Sequence, residues 1–427
     1  MSCRARVRHG LLPESFGTYE RIGLMSQEGA SLRTYGLSVY LPSLLYGIGQ
    51  GAVAPIVAIS ALDLGASVGV ASFVVALAGL GQLVGDLPAG ALAERIGERR
   101  AMLGAAFLLI AALVAAILAT SVWVLGVAIA TTGLAGAVWH LARQAYLTEV
   151  VPFRLRARAM STLGGVHRIG AFLGPFLGAG AVHLAGTDGS YGLHVVAVAV
   201  AAVALLGLPE PGGRDPQAHA QAGPGMVEVA RSHLPVLRTL GLGTVLVGAV
   251  RASRQAVIPL WAAHIGLDAA TTSLIFGVAG AVDMALFYPA GKVMDRIGRA
   301  WVAVPSMVVL GIAHLVLPLA HSAPTLFGVA MVMGIGNGIG SGIIMTLGAD
   351  LSPAVGRTTF LGAWRLCSDL GSSGGPLVIG VISSAVALAP AVVLMGVLGL
   401  VGAMILGRWI PVHVPSPRAM SSEPSRG

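Results

Sequence analysis

The sequence predicts an all-helical membrane protein of twelve spans arranged as two six-helix halves. Three observations carry that reading: an apolar excess that no soluble fold can hide, basic residues confined to alternate loops, and a second half that repeats the first. Of 427 residues, 56% are hydrophobic and 10% charged, where a soluble domain carries about 25% charge. In lipid the backbone polar groups must be paired internally, by helices or by a closed barrel. The apolar runs are about 20 residues long and do not alternate, which suits spanning helices and not barrel strands.

Residues 1–33 hold Arg4, Arg6 and Arg8 but no apolar core, so they read as a cytoplasmic tail and not as a signal peptide, with Met25 as a second candidate start. Apolar windows place spans near 35–59, 69–92, 101–119, 122–147, 158–183, 190–208, 236–262, 270–291, 301–320, 323–348, 358–384 and 388–409. The uncharged stretch 101–141 is too long for one span, and Ala119-Thr120-Ser121 marks its break. The first bundle is thus 34–208 and the second 235–410. Between them, the polar segment 209–234 with Pro211, Gly212, Gly213, Pro216, Pro224 and Gly225 reads as a cytoplasmic linker, and 411–427 as a second cytoplasmic tail.

Alternate connections hold Arg95, Arg99 and Arg100; Arg154, Arg156 and Arg158; Arg214, Arg231 and Arg238; Lys292, Arg296 and Arg299; and Arg357. The C-terminal tail adds Arg418 and Arg426, whereas the intervening loops hold only Asp63, Asp188 and Asp268. That is the positive-inside pattern with both termini cytoplasmic, and it requires an even number of spans. The net charge of +8 is therefore topology, and nucleic acid is not an expected partner. Cys3 lies in the tail and Cys367 inside a span, so neither a disulfide nor a metal site is expected. Sixty glycines suit closely packed membrane helices.

Gly90-Ala-Leu-Ala-Glu94-Arg95-Ile-Gly97 reappears as Gly291-Lys-Val-Met-Asp295-Arg296-Ile-Gly298, 201 positions later. The same offset relates Pro88 to Pro289, Glu149 to Asp350, Pro152 to Pro353, Arg156 to Arg357 and Gly174-Pro175 to Gly375-Pro376. A constant offset over several helices indicates duplication of a six-helix unit, an organisation that places the substrate near the midplane between halves.

The segment Gly90–Arg100 resembles the loop motif between helices 2 and 3 of the major facilitator superfamily, Gly-x-Leu-x-Asp-Arg-x-Gly-Arg-Arg. It departs from it with Glu94 for the usual Asp and Glu98 at a usually basic position. The resemblance covers roughly 35–410 and implies the major facilitator fold. It also implies a cytoplasmic latch, with Arg95 and Arg296 beside Glu149 and Asp350 at the ends of spans 4 and 10. Glu94 and Asp295 would approach the N-termini of spans 11 and 5, where free N–H groups favour an anion. In span 5, Gly170-Ala-Phe-Leu-Gly174-Pro175-Phe-Leu-Gly178 resembles the signature of the drug:proton antiporter branch, multidrug efflux carriers. Small residues there admit a neighbouring helix, and Pro175 removes a backbone bond. Span 11 carries an echo, Gly371-Ser-Ser-Gly-Gly375-Pro376.

Ionisable groups at membrane depth are costly and face a cavity or a partner. They are Asp86, His140, His167, Arg168, Arg251, Arg254, Asp283, Arg365 and Asp369. In the family fold span 2 faces span 11 and span 5 faces span 8, so two cross-half ion pairs are expected, Asp86–Arg365 and Arg168–Asp283. Arg365–Asp369, four apart on one helix, is the competing pair. Gln50 corresponds to Arg251 at the same offset, and both are expected on the central cavity with Tyr46, Gln82, Trp139 and Asn337. Arg254, one turn outward, reads as a snorkelling residue. Asp283 and Asp86 are the leading proton carriers, with His140 and His167 second. Span 1 has no carboxylate, unlike some drug exporters of the superfamily, and the excess of Arg over Asp at depth leans toward neutral or anionic substrates.

The expected function is proton-coupled export of small amphiphilic molecules by rocking of the two halves. The alternative is uptake or facilitated passage of a metabolite such as a sugar or organic acid, since one fold hosts both. An enzyme or receptor is not expected: there is no Gly-rich phosphate loop, no HExxH, no GxSxG and no soluble domain. The expected partners are the lipid bilayer, a small-molecule substrate and protons, with the proton gradient as energy source, no cofactor, and a monomer as the working unit. Low charge, abundant Ala and Gly and Arg in preference to Lys point to a bacterial cell membrane.

Overall fold

Hydrophobic length and capping together set where each helix starts and stops. The computed structural model describes residues 39–151, 153–207, 228, 231–353 and 357–414. The tail 1–33, most of the linker 209–234, the end of the chain from 415, Pro152 and the side chains of Glu94, Arg154 and Arg158 lie outside the described residues. Among the described residues all regular structure is helical.

The spans are α1 (Leu41–Val53, continued as Ile56–Asp63), α2 (Val68–Ile96), α3 (Glu98–Ile117) and α4 (Val122–Val150). The run Phe153–Leu206 holds two more, α5 and α6, divided at Ala185 and Gly186, where the backbone leaves the helical region and Gly186 takes φ 61°. The second half is α7 (Leu242–His264), α8 (Ala269–Arg296), α9 (Ala300–Val316), α10 (Ala323–Ile339, continued as Ile343–Leu351), α11 (Arg357–Ala385) and α12 (Leu388–His413). The twelve expected spans are all present.

Two spans are broken. The arms of α1 meet at 42° beside Pro55, which has no N–H to give to the helix. In α10 the break is Gly340–Gly342, with Gly342 at φ 87°.

The loops at the end of the bundle opposite the two Gly-x-x-x-[Glu/Asp]-Arg motifs, here the far end, are short and capped. Ser67 Oγ accepts from Val70 N at 3.3 Å, and Ser121 Oγ from Val124 N at 3.4 Å. Asp268 accepts from Thr271 N at 2.9 Å and from its hydroxyl at 2.6 Å. These hydrogen bonds from Thr271 lower the pKa of Asp268 below the usual carboxylate range. A depressed carboxyl pKa contributes stability that is present at neutral pH and disappears as pH falls through the folded-state value. Asp268→Ala is therefore expected to cost about 1 kcal/mol at pH 7. The difference from wild type should begin to narrow at about pH 4, the unfolded-state value, and close only below the depressed folded-state value, where the carboxylate is protonated in both states. Thermal melts in detergent between pH 3.5 and 7 check it.

At the motif end, Gly97 and Gly298 adopt φ of 88° and 128° where α2 and α8 terminate. Left-handed backbone at these helix ends accounts for a glycine at each repeat position.

The duplication is visible in the packing. A Cβ on Gly174 would sit 2.6 Å from Ala52 N and Gly51 Cα, and one on Gly375 2.9 Å from the Ala249 carbonyl carbon. The Gly-Pro motif of α5 is therefore a seam against α1, and its echo in α11 is the equivalent seam against α7. Gly133 and Gly334 repeat the same device between α4 and α2 and between α10 and α8, meeting Ala78 and Ala279 respectively. Gly174 and Gly375, Gly133 and Gly334, and Ala78 and Ala279 are each related by 201 positions. Gly174→Leu overfills the seam, which costs about 1–3 kcal/mol or more. The expected outcome is aggregated protein on size-exclusion chromatography, where Leu173→Ala, on an exposed position, stays monodisperse.

Large apolar side chains cover the outer surface, with Leu184 90% and Trp123 79% exposed. A patch of that kind marks contact with lipid. The halves meet through α2 against α11 and α5 against α8.

Candidate functional site

A cavity of about 400 Å³ lies between the halves at mid-depth. Its wall is mixed, with apolar residues Val53, Val57, Leu109, Leu113 and Ile129 and polar residues Gln50, Gln82, Arg251, Arg254, Gln255 and Asn337. Tyr46 lines it too. Five of the six residues expected on the wall are there. Trp139 is not: it is fully buried behind the wall and stacks on Tyr46 with ring centroids 5.4 Å apart. It lies on the same stripe of α4 as Gly136 and Thr132, which do face the cavity, but the Tyr46 ring covers it.

Tyr46 is the centre of a ring cluster. His140 meets it edge-on at 5.1 Å, His194 at 5.9 Å, and His167 lies 6.0 Å away. His140 in turn is 3.1 Å from an amino nitrogen of the buried Arg143. His194 and Arg143 were not singled out in the sequence. Polar groups in otherwise apolar runs were the available signal, but only the fold shows that both converge on Tyr46.

The opposite wall holds the main charge network. Arg251 Nε donates to Asn337 Oδ1 at 2.7 Å, and Nη1 to the Gly340 carbonyl at 3.3 Å, in the break of α10, where that oxygen also accepts from Ile343 N at 3.2 Å. Asn337 Nδ2 donates to Asp283 Oδ2. Arg254 Nη2 lies 3.7 Å from the same oxygen. Arg254 is thus not a snorkelling residue: it lies on the same face of α7 as Arg251, three positions on, and is 9% exposed. An isolated arginine at helix centre costs about 2.5–3.5 kcal/mol in the membrane, and Asp283 offsets part of that. The positions equivalent to Arg254, Asp283 and Asn337 in the first half are Val53, Gln82 and Gly136. The duplicated unit has therefore become ionic in one copy only.

Nearer the motif end, Asp86 and Arg365 approach to 3.7 Å across the interface, and Arg365 is also 3.5 Å from Asp369. The two pairings expected as competitors coexist in one Asp–Arg–Asp group. The second expected pair, Arg168–Asp283, does not form. Arg168 instead stacks on the Phe287 ring of α8 at 4.0 Å, one turn beyond Asp283, whose carboxylate is occupied by Arg254 and Asn337. Residues 168 and 369 are related by the repeat, as are 86 and 287. One of these cross-half contacts is consequently ionic and the other cation–π.

At the far end the halves touch more closely. Ser72 Oγ donates to the Pro376 carbonyl at 2.7 Å, and a Cβ on Gly277 would lie 3.2 Å from Pro175. Backbone and small residues make that contact, whereas long side chains bridge the motif end.

The sequence matches the family model of the major facilitator superfamily over residues 39–250 and again over 240–426. The chain belongs to this superfamily. Among solved structures it is similar to a bacterial homologue of the human lysosomal transporter Spinster in an inward-facing, unoccupied conformation. That similarity has TM-score 0.73 and 15% identity, covering 89% of this chain and 97% of the other. It also resembles a D-xylose–proton symporter (TM-score 0.68, 14% identity, 90% and 98% covered) and a nucleoside transporter (0.69, 12%, 87% and 99%). At these identities the likeness shows the shared fold. No curated protein matches the sequence.

The superfamily loop motif is arranged differently from the expected latch. Arg95 and Arg296 are exposed. In the second copy Asp350 is held by Arg299, Nε to Oδ2 at 2.9 Å. Asp295 has a side chain 77% exposed and, among the described residues, pairs with Arg299 at 3.8 Å. The positive-φ glycine turn directs Arg299, which follows it, back under α10, while Arg296 still belongs to the outer face of α8. In the first copy Arg99 is tied to the Leu206 carbonyl at 2.6 Å, and Gly90 and Glu94 have no described surroundings.

Proposed function

We propose that this superfamily member is a proton-coupled secondary carrier that exports small amphiphilic compounds by rocking its two halves about the central cavity. The mixed apolar and polar wall carries this reading, because such a wall suits a ligand with a greasy body and one polar end. Asp283 is the proton carrier: it sits on the cavity network, inside the membrane, with a guanidinium partner it can gain or lose. Asp86, Arg365 and Asp369 act at the motif-end gate, and Arg299–Asp350 fastens the second loop motif. The positive-inside distribution supports a motif end in the cytoplasm of a bacterial cell. The Gly170–Gly178 seam, through its resemblance to the drug:proton antiporter branch, supports export. The working unit is a monomer with no cofactor.

Uptake of an organic acid is the second reading, favoured by the two arginines on the cavity wall. Accumulation of labelled compounds in cells with and without the gene separates the two. Export requires lower internal levels on expression, collapsing with an uncoupler; raised levels reject it.

A further inference from the structure

We propose that the substrate is an amphiphilic monoanion, a carboxylate on an apolar body, seated between Arg254 and Arg251 and bound together with one proton on Asp283. This rests on the carrier reading above and names its substrate class. Charge decides it. Arg251 and Arg254 on α7 face the single carboxylate of Asp283, and Arg168 of α5 adds a third positive charge within its electrostatic reach.

The hydrogen bonding of these arginines is incomplete. Arg254 Nε and Nη1 are buried with no partner, and its one contact with Asp283 is long. Arg251 spends Nε and Nη1 on Asn337 and Gly340, leaving Nη2 for a ligand. Buried guanidinium N–H groups without acceptors are costly, and a carboxylate satisfies two at once. A cation has no counterpart here, since Asp283 already receives Asn337 and Arg254. A monoanion bound with one proton on Asp283 leaves the net charge of the site unchanged, whereas a dianion does not. The apolar part of the lining, with Val53, Val57 and Val75, accepts the body.

The proton follows from the sharing of Arg254. An anion that takes this guanidinium leaves Asp283 inside the membrane without its cation, and the acid is neutralised by taking a proton. Anion and proton thus favour each other's binding, and the coupling is reciprocal. The transported unit is then electrically neutral, whichever way the carrier runs. Other groups facing this region do not supply the proton. Asn337 does not titrate, Arg168 is held on Phe287, and His314 of α9 is tied to Ser253 and the Leu310 carbonyl. His194 lies across the cavity against Tyr46.

The test uses the purified full chain in detergent and three matched probes, 4-phenylbutyrate, 4-phenylbutanol and 4-phenylbutylammonium, with binding read from the rise in Tm with ligand concentration. Phenylbutyrate should bind at least tenfold tighter than the other two, and at least fivefold tighter at pH 6 than at pH 8. Arg254→Gln should lose tenfold or more in phenylbutyrate affinity. Asp283→Asn should keep the affinity but lose its pH dependence, a change that a merely misfolded variant does not produce. Preference for the ammonium or the alcohol, no binding of any probe, or an unaltered pH response in Asp283→Asn overturns the proposal. Exchange of the ammonium or alcohol probe in proteoliposomes would leave the carrier reading standing while the anion proposal falls. Absence of exchange for every solute that binds rejects the carrier itself.

Discussion

Asp283→Asn is expected to abolish concentrative transport while leaving energy-independent solute exchange in place. Two effects separate here. Asn keeps an acceptor for Asn337 but removes the negative charge facing Arg254, 3.7 Å away and largely buried. Breaking one side of a buried ion pair costs about 3–5 kcal/mol, because the remaining charge is uncompensated. A fall in thermal stability is therefore expected in the single variant. Asp283→Asn combined with Arg254→Gln removes both charges and should restore much of that stability. It should not restore concentrative transport, because the proton carrier is still missing. A double variant as stable as wild type and able to concentrate substrate would show that Asp283 has only a structural role. The matched assay is uphill transport in proteoliposomes against counterflow in the same preparation.

Arg254 shows what was legible in the sequence and what was not. Spans, halves and the 201-residue repeat depend on hydropathy and on pattern, both one-dimensional, and the helices form where those patterns place them. The depth of a charged residue is equally readable, since a helix rises about 1.5 Å per residue, and Asp86 does meet Arg365 across the interface. What covers a residue on the right face is harder. Trp139 and Gly136 differ by three positions on α4, yet one stacks behind Tyr46 and the other faces the cavity. Partner choice is harder still. Arg168 and Asp283 have matching heights and opposite charges, but Arg254 and Asn337 reach Asp283 from α7 and α10 first. In the loop motif, Arg296 and Arg299 both lie near Asp350 in sequence-level geometry. The φ of 128° at Gly298 selects Arg299, and backbone conformation of that kind is not written in residue spacing.

The ionic character of one repeat and the apolar character of the other also bear on mechanism. Residues 53, 82 and 136 place nothing charged opposite Arg254, Asp283 and Asn337. One half therefore carries the Arg251–Arg254–Asp283–Asn337 network while the other supplies the Tyr46 ring cluster. A rocking carrier needs only one such network, provided the two halves part around it.

Parting of the halves is the central claim, and a reversible cross-link at the far end tests it most directly. A Cβ built on Gly380 of α11 lies 3.7 Å from the Cβ of Ser72 on α2, close to the mean of about 3.8 Å in disulfides. With Cys3 and Cys367 replaced by Ser, Ser72→Cys with Gly380→Cys should oxidise readily to an intramolecular bond. The new Cβ at 380 also comes within 2.9 Å of the Gly69 carbonyl, so the reduced form of the same protein serves as control. Transport should fall at least tenfold on oxidation and return with reductant, because α2 and α11 can no longer separate. A fully cross-linked protein that transports at the rate of its reduced form would contradict rocking of the two halves.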